Sequence, residues 1–390
     1  MTPDLRILAD DLTGALDTAA AFVAPVPVHL DHPPAVPVAA PVSALAIASR
    51  DVPPARLPAL LAPAAEWLAG AGIAYKKIDS LWRGNTLDEL VWLVRAGGFE
   101  RLIFAPAFPA QGRLCIGGRL RLADGRPPPA ADDANGLRER LPGVQVDLPD
   151  VRDEADLQAV AGQVHGQVHG QGGRRWLWCG SAGLAQALAR ELACAAGGRA
   201  SSVSASSVRA MTMAASSEAG TAAGAPGLLL ISASHQDVTR GQLDRLQADW
   251  PRATWVRDGD AAALDAVLAP GAAARALARG GLLLDLAPRG RLTPEAAAAL
   301  LAAQIGRLTQ AQALPRPARL VVIGGDTFVA LCRATGATAL HTEPARQAGW
   351  GRARWAGGAW DGVVCDSRSG AFGGPDDLRS LLGTGLADGR

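Results

Sequence analysis

Lysine and tyrosine are scarce in this chain of 390 residues. Its two lysines, Lys76 and Lys77, and its one tyrosine, Tyr75, are adjacent. Positive charge elsewhere is carried by arginine, whose planar guanidinium does not replace a compact ammonium at every site. The clustering indicates that this segment carries chemistry. The alternative is chance retention of the three residues in a surface strand.

The chain has no excess of either charge, with 38 basic and 37 acidic side chains and a net charge of +1. It therefore has no electrostatic footprint for nucleic acid or an anionic membrane. It has no apolar run of about eighteen residues, and acidic residues stand where a signal peptide needs an apolar segment. We expect a cytoplasmic protein without nucleic-acid or membrane partners. A homo-oligomer is compatible with this interpretation.

Several motifs are also missing. The five cysteines are widely spread and contain no Cys-x-x-Cys pair, which argues against a disulfide framework or a zinc site. Neither the P-loop motif nor the Gly-x-Gly-x-x-Gly fingerprint occurs. The sequence therefore excludes a P-loop protein and a standard dinucleotide-binding fold.

The domain organisation follows from length and composition. A chain of this length is too large for one ordinary core, so we expect two domains. Residues 200–226 are rich in serine, alanine and glycine, a composition typical of a flexible linker. We therefore predict an N-terminal domain over 1–199 and a C-terminal domain over 227–390.

Both halves alternate short apolar runs with helical patterns, which is typical of α/β domains with mainly parallel sheets. Ligands of such sheets bind at the carboxyl ends of the strands. The predicted strands are 6–9, 44–48, 74–78, 101–105 and 176–179 in the first half, and 227–232, 253–256, 281–285, 320–323 and 362–365 in the second.

A short repeat, Gly-Gln-Val-His-Gly-Gln-Val-His, begins at residue 162 and places His165 and His169 four residues apart. On a helix these histidines would share one face and could bind a metal. Because the glycines disfavour a helix, we expect an exposed loop instead.

Asp10 and Asp11 follow the first predicted strand and precede a helical pattern. Adjacent carboxylates at a strand end suit polyol hydroxyls, a lysine or a divalent cation. A helix cap would explain Asp11 alone. We therefore predict a functional role for the pair.

The third predicted strand delivers Lys77, Asp79 and Ser80 to its carboxyl end, with Arg83 and Asn85 in the turn beyond. Alternation along the strand puts Lys77 and Asp79 on the same side, where they could position a hydroxyl and accept its proton. Arg83 could bind a carboxylate in bidentate fashion. The alternative is a surface salt bridge followed by an ordinary turn.

Polar and small residues also follow other strands. Gln111 and Arg113 end a proline-stiffened loop after residues 101–105 and offer hydrogen-bond donors. In the second half, glycines at strand-to-helix turns let backbone amides approach phosphates. Three such loops predict a nucleotide site, and they contain Ser234, Gly324, Gly325, Asp326, Thr327 and Gly370.

Six segments in this order resemble the motifs of the four-carbon acid sugar kinase family, and the resemblance spans nearly the whole chain. They are 9–19 (ADDLTGALDTA), 76–85 (KKIDS followed by RGN), 106–113 (PAFPAQGR), 180–189 (GSAGLAQALA), 324–327 (GGDT) and 369–373 (SGAFG). The resemblance implies a sugar-acid-binding N-terminal domain, an ATP-binding C-terminal domain and an active-site cleft between them. It implies phosphoryl transfer to the terminal hydroxyl of a threonate, erythronate or 3-oxo-tetronate.

The resemblance also implies roles for individual residues. ATP contacts are expected at Ser234, Gly324 to Thr327 and Gly370, with Mg²⁺ on the phosphates and Asp326 as one candidate ligand. Lys77, Ser80, Arg83, Asn85, Gln111 and Arg113 are the candidate substrate-binding residues. Asp10, Asp11 and Asp79 are the candidate catalytic residues, with Asp79 favoured as the base by its lysine neighbour.

Three departures from the family pattern bear on activity. Leu81 and Trp82 replace a Thr-Leu pair, which places an indole beside the expected substrate, and Arg368 replaces a lysine. A glycine-proline turn of the family is not recognisable in 343–349. These departures keep two alternatives open: a weakened protein that binds sugar acid and ATP, and a kinase for a related acid of another length. An unrelated α/β transferase or reductase lacks a cofactor fingerprint.

Overall fold

The computed structural model describes residues 4–23, 25–36, 38–128, 133–169, 175–197, 227–290, 292–310, 314–347, 349–370 and 373–383. The chain divides into two compact units, unit 1 (Met1–Ser201) and unit 2 (Ser202–Arg390). The linker predicted over 200–226 lies outside the described residues. The ligand assigned to each domain and the cleft between them stay predictions.

Unit 1 is built on a parallel sheet. Its strands are β1 (Leu5–Ala9), β2 (Pro27–Leu30), β3 (Val42–Ala46), β4 (Ile73–Lys77), β5 (Arg101–Ala105), β6 (Arg113–Ile116), β7 (Arg119–Leu122), β8 (Gln145–Asp147) and β9 (Trp176–Gly180). The sheet order is β2-β3-β1-β4-β9-β5-β8, and β6 and β7 form a separate antiparallel hairpin. The carboxyl ends of β1, β3 and β4 therefore meet at one edge.

The helices of unit 1 are Leu12–Ala19, Leu57–Ala69, Thr86–Gly97, Leu137–Arg140, Glu154–Gly162, Val164–His169 and Ala182–Gly197. The first shows why the sequence folds this way. Leu12, Ala15, Leu16 and Ala19 form a buried stripe at helical spacing, and the Asp11 carboxylate accepts a hydrogen bond from the Gly14 amide at the helix N-terminus. The chain therefore turns directly from β1 into this helix.

Unit 2 has a mixed sheet. Its strands are β10 (Leu228–Ser232), β11 (Thr254–Val256), β12 (Leu282–Asp285), β13 (Arg319–Ile323), β14 (Ala339–Thr342), β15 (Gly351–Ala356) and β16 (Val364–Arg368). The order is β11-β12-β10-β13-β16-β15-β14. The neighbouring strands β11, β12, β10, β13 and β16 pair in parallel. Strand β15 pairs antiparallel with both β16 and β14.

The helices of unit 2 are Asp237–Asp249, Ala261–Leu268, Ala272–Arg279, Pro294–Gln310, Gly325–Thr335 and Asp377–Leu382. Leucines on β10 and β12 pack with the helix Asp237–Asp249 and with two buried tryptophans. Members of this cluster include Leu228, Leu230, Leu243, Trp250, Leu283 and Trp350. The prediction of two α/β domains with mainly parallel sheets is confirmed.

Each of the ten predicted strands coincides with or overlaps a strand of the structure. The last lies further along the chain than expected, so Arg368 is its final residue rather than part of the following loop. The loop predicted around His165 is wrong, because Val164–His169 forms a short helix. His165 Nε2 lies 2.7 Å from Glu191 Oε2, and tertiary packing has overridden the glycine signal.

The length and apolar composition of the helices bear on membrane insertion. Within the residues that the structure describes, no single helix is long and apolar enough to cross a membrane. The helices Ala261–Leu268 and Ala272–Arg279 reach the length and apolar composition of a membrane span only as a pair. The chain bends by 93° between them.

Candidate active site

The first cluster of candidate residues lies where β1 and β4 end side by side. The register pairs Ala9 with Lys77, so Asp10 and Asp79 leave adjacent strands at the same edge of the sheet. Asp10 is 4% exposed and Asp79 is 8% exposed. The structure therefore brings the two predicted motifs together, as expected for parallel strands.

Arg50, which follows β3, binds the aspartate pair. Its Nε lies 3.0 Å from Asp10 Oδ2 and its Nη2 lies 3.1 Å from Asp10 Oδ1. The same Nη2 lies 3.0 Å from Asp11 Oδ1. Asp11 also caps its helix, so its structural and site roles coexist. One guanidinium therefore joins both carboxylates.

Asp10 is held as an anion despite its burial. Burial raises the pKa of its carboxyl group, but the positive charges of Arg50, Lys76 and Lys77 outweigh that effect and leave the pKa below its usual value. A carboxylate with a lowered pKa is a weak proton acceptor. It is well suited to orienting a hydroxyl group.

Asp79 organises the turn that contains Arg83. Nε and Nη2 of Arg83 donate to the two carboxylate oxygens at 2.8 and 2.9 Å. The backbone amides of Leu81 and Arg83 donate to Oδ2 at 3.2 Å each. Burial opposes ionisation, but Arg83, followed by Arg50, holds the pKa of Asp79 well below its usual range. This geometry favours an anchoring role over the predicted role as base.

Trp82 does not line an open pocket in this structure. Its side chain is 1% exposed and packs edge to face on Phe104, with ring centroids 5.2 Å apart. Its φ of +58° is costly for a bulky residue, and burial of the indole compensates for that cost. The expectation of an indole beside the substrate is therefore wrong, because the turn directs this side chain into the core.

Lys77 is the least satisfied cation of the cluster. The residue is 6% exposed, and its ammonium donates to the carbonyl of Ile78 at 2.8 Å, its one hydrogen-bond partner among the described residues. It lies beside the start of the helix Leu12–Ala19, since a Cβ on Gly14 would come within 2.9 Å of Nζ. An ammonium has three donors, so this one is placed to bind an anion or hydroxyl.

The other two rare residues are also buried. Tyr75 is 1% exposed and Lys76 is 0% exposed, so the surface-strand alternative is wrong. The Tyr75 hydroxyl donates to the carbonyl of Ser181 at 2.5 Å. Lys76 faces the opposite side of the sheet from Lys77 and pairs with Glu89, with 2.6 Å between Nζ and Oε2. Lys76 is therefore paired within the core, whereas Lys77 lies beside the Asp10–Asp11 pair.

Asn85 and Gly84 act on the loop that carries Arg50. Nδ2 of Asn85 lies 3.1, 3.2 and 2.6 Å from the carbonyl oxygens of Ser49, Arg50 and Val52. Gly84 has a φ of +80°, and a Cβ there would overlap the carbonyl of Arg50. The structure therefore uses Asn85, predicted to bind substrate, to brace this loop.

Gly84→Ala should lower the free energy of unfolding by about 1–3 kcal/mol more than the matched change Gly143→Ala. Gly143 has a similar φ of +82° with nothing within 4 Å of the added Cβ, so it isolates the backbone cost. Urea unfolding of both variants measures the difference. Equal losses would show that the Arg50 carbonyl moves aside freely.

Ser80, Gln111 and Arg113 form a second group. Nη1 of Arg113 donates to Ser80 Oγ at 3.0 Å and also to Oε1 of Gln111. All three side chains are half-buried. The structure therefore joins the proline-stiffened loop to the Asp79 turn, and substrate binding by these residues stays a prediction.

The three glycine-containing loops of unit 2 also meet. They follow β10, β13 and β16, which are neighbours in the sheet. The Gly324 amide donates to the carbonyl of Arg368 at 2.9 Å, and a Cβ on Gly370 would overlap Ser234 Oγ. Thr239 Oγ1 donates to the Gly370 carbonyl at 2.6 Å. Gly325 and Thr327 lie in the first turn of the following helix, whose N-terminus favours anions.

Arg368, which stands where the family has a lysine, is buried at the end of β16. Its side chain is 0% exposed and pairs with Asp377 at 2.8 Å. The guanidinium also donates to Gln242 Oε1 and lies 4.7 Å from the ring centroid of Trp350. The arginine therefore braces the start of the Gly370 loop from within the core, and the effect of this departure on ATP binding stays a prediction.

The residues fit a magnesium ion carried mainly by a nucleotide. No group of three or more potential metal-binding side chains occurs among the described residues. Asp326 is exposed in the first turn of the helix Gly325–Thr335. Because Mg²⁺ usually takes one or two carboxylates together with substrate phosphates, one carboxylate here suffices.

Sequence reasoning missed Arg50 and the residues that bury Arg368. Arg50 follows β3, a strand that the sequence predicted. Its position after the carboxyl end of that strand could therefore have marked it as a candidate site residue. Gln242, Trp350 and Asp377 come from a helix, a loop and the last described helix, and no local pattern links them.

Comparisons with known proteins find related sequences. The family model of the sugar-binding N-terminal domain matches residues 5–137. The chain is also 31% identical over 231 residues to the D-threonate kinase of Cupriavidus necator, a match that covers 47% of this chain and 53% of that protein. The matched region thus spans about half the length of that relative.

Two solved structures share the fold. A protein of Salmonella typhimurium LT2 has a TM-score of 0.66 at 18% identity, with 97% of both chains covered. A Haemophilus influenzae protein has a TM-score of 0.64 at 16% identity, with 97% of this chain and 99% of that chain covered. The resemblance of the chain to four-carbon acid sugar kinases is confirmed.

Proposed function

We propose that this protein is an ATP-dependent kinase that phosphorylates the terminal hydroxyl of a four-carbon sugar acid. The observation that carries the proposal is the buried ammonium of Lys77 beside the Asp10–Asp11 pair. It combines an under-bonded cation with fixed carboxylates, which suits an anionic polyol better than a neutral sugar or a bare phosphate. The D-threonate kinase relative supports the same substrate class.

In this proposal unit 1 binds the acid. Lys77, Arg83 and Arg113 bind its carboxylate and hydroxyl groups, and the Asp10–Asp11 pair orients the terminal hydroxyl. The hydroxyl oxygen attacks the γ-phosphorus of ATP, the bond from that phosphorus to the β-γ bridging oxygen breaks, and ADP leaves. The hydroxyl proton is released to water as the new bond forms, because the Asp10 and Asp79 carboxylates have lowered pKa values and are weak proton acceptors. Positioning and charge account for most of the rate in such a reaction.

Unit 2 binds ATP in this proposal. Backbone amides at the start of the helix Gly325–Thr335 face the phosphates, and Ser234 and Gly370 shape the adjoining wall. Mg²⁺, when bound with ATP, supplies charge neutralisation on the phosphates. Asp326 is the side chain placed to hold it.

The alternative of a weakened binding protein loses its structural motivation. It rested on Leu81, Trp82 and Arg368. Trp82 packs on Phe104 and Arg368 pairs with Asp377, both within the core. Leu81 keeps the backbone amide that donates to Asp79. None of these changes removes a charged side chain from the cluster around Lys77.

Release of ADP from MgATP tests the proposal. The panel is D- and L-threonate, D- and L-erythronate, the 3-oxo-tetronates and a set of five-carbon acids. We expect turnover on one four-carbon acid. Turnover restricted to a longer acid would correct the substrate class. Silence throughout, with ATP and a sugar acid still raising the Tm, would overturn the kinase proposal in favour of a binder.

A further inference from the structure

Arg50 is fixed at both ends. Its guanidinium binds Asp10 through two nitrogens and also contacts Asp11, and its side chain is 19% exposed. Its backbone is held by Asn85, whose amide nitrogen reaches three carbonyls of this loop. Gly84 provides the space for that approach. A side chain held in this way has little freedom to move with a substrate.

The three residues of the Arg-Gly-Asn segment at 83–85 therefore make two different sets of contacts. Arg83 binds Asp79, whereas Gly84 and Asn85 bind the loop that presents Arg50. Nδ2 of Asn85 has two hydrogens and is within hydrogen-bond distance of three protein carbonyls. The donors of this amide are thus saturated before any ligand arrives.

We propose that Arg50 is a positioning residue that aligns the Asp10 and Asp11 carboxylates for the reacting hydroxyl, and that Asn85 acts through Arg50 rather than on the substrate. The inference rests on the proposed kinase function. It assigns no covalent step to Arg50.

The electrostatic surroundings support this role. The charged and titratable groups facing Asp10 are Arg50 from the β3 loop, Lys76 and Lys77 from β4, and Cys179 from β9. Burial raises the pKa of Asp10, and Arg50 is the strongest of the groups that lower it. Removing Arg50 should therefore raise the pKa of Asp10, and the acid limb of the kcat/KM profile should move to higher pH.

Kinetics of three single variants and one double variant test the proposal. Arg50→Gln should lower kcat about 10²-fold with little change in the KM for the acid, because Arg50 does not touch the substrate. Arg50→Lys should recover part of that loss, since it keeps the charge but not the bidentate geometry. Asn85→Ala should lower kcat in the wild-type background and have little further effect in Arg50→Gln.

Arg101→Gln is the matched control. Arg101 pairs with Asp147 at 2.6 Å, and its side chain is also 19% exposed. Loss of this ion pair should leave kcat and the acid limb unchanged. A comparable fall in kcat would mean that loss of any half-buried arginine of unit 1 weakens the enzyme, and the proposal would be wrong.

Other results would also overturn the proposal. A rise in KM with unchanged kcat in Arg50→Gln would place Arg50 on the substrate. An equal effect of Asn85→Ala in both backgrounds would place Asn85 there. A pH titration of ¹³C-labelled aspartates, with Asp10→Asn for assignment, needs no substrate. An unchanged Asp10 pKa in Arg50→Gln contradicts the proposal, whereas a raised pKa without kinase activity refutes only the reaction.

Discussion

Lys77→Met is expected to lower turnover on the sugar acid by about 10²–10³-fold while leaving the protein folded. The ammonium is buried, and among the described residues it donates to the Ile78 carbonyl alone. A charge held in that state is retained against a desolvation cost. The expected use is to bind the anionic substrate during transfer.

The stability of this variant should also fall moderately. The positive charge of Lys77 favours the ionised forms of the Asp10 carboxyl group, which is buried, and of the Asp17 carboxyl group. Its removal leaves them less well compensated and should lower the free energy of unfolding. Steady-state kinetics and urea unfolding of the same preparation measure both effects. Lys77→Arg tests the shape requirement, since a guanidinium needs more space than an ammonium.

Arg121→Met is the control for loss of a cation from unit 1. Arg121 is exposed on the β6–β7 hairpin, and its replacement should leave turnover within about twofold of wild type. Near-normal turnover of Lys77→Met would remove Lys77 from the site and contradict the proposed substrate class.

Single changes in the Lys76–Glu89 pair are expected to cost about 3–5 kcal/mol of unfolding free energy. The two side chains are 0% and 1% exposed, with 2.6 Å between Nζ and Oε2. Oε1 of Glu89 has no hydrogen-bond partner among the described residues. Lys76→Met or Glu89→Leu therefore leaves an unpaired buried group.

The double variant Lys76→Met with Glu89→Leu should recover most of that loss, because two apolar side chains replace two buried charges. Urea unfolding of the four proteins gives the coupling energy. Additive losses would contradict the assignment of the pair as one buried unit. Burial lowers the pKa of Lys76, but Glu89 and Asp10 outweigh that effect and raise it.

This raised pKa also fixes the pH dependence. Stability contributed by a group with a raised folded-state pKa is fully present below the unfolded value, about 10.4 for lysine, and is lost as pH rises through the folded value. The stability difference between wild type and Lys76→Met should therefore be constant from neutral pH to about pH 9. A rise with pH over that range would show that Lys76 is neutral in the folded protein.

The two lysines illustrate what the sequence could predict. Their rarity pointed to a special segment, and alternation along β4 predicted that Lys77 and Asp79 share one side of the sheet. In the structure Lys77 ends its strand beside Ala9, which Asp10 follows. The same alternation places Lys76 against the helix Thr86–Gly97, where Glu89 lies. Its structural use required knowledge of that packing, which no local pattern provides.

The positions of Arg50 and Arg368 were also not predictable from local sequence patterns, although Arg50 lies in the candidate site and Arg368 lies in the core. Arg50 enters the site because Gly84 and Asn85, more than thirty positions away, bind its loop. Arg368 is buried because the strand extends further than predicted and because Trp350 and Asp377 enclose its side chain. Both outcomes depend on contacts between distant segments, whereas the strands and strand-end motifs follow from local periodicity.

Phosphorus-31 NMR of the reaction of MgATP with the best acid of the panel tests the central claim most directly. We expect a new phosphomonoester signal split into a triplet by the two protons of a terminal CH₂, growing as the γ-phosphate signal of ATP falls. A doublet would place the phosphate on a secondary hydroxyl. Inorganic phosphate alone, or an unchanged spectrum, would contradict the assignment of this protein as a sugar-acid kinase.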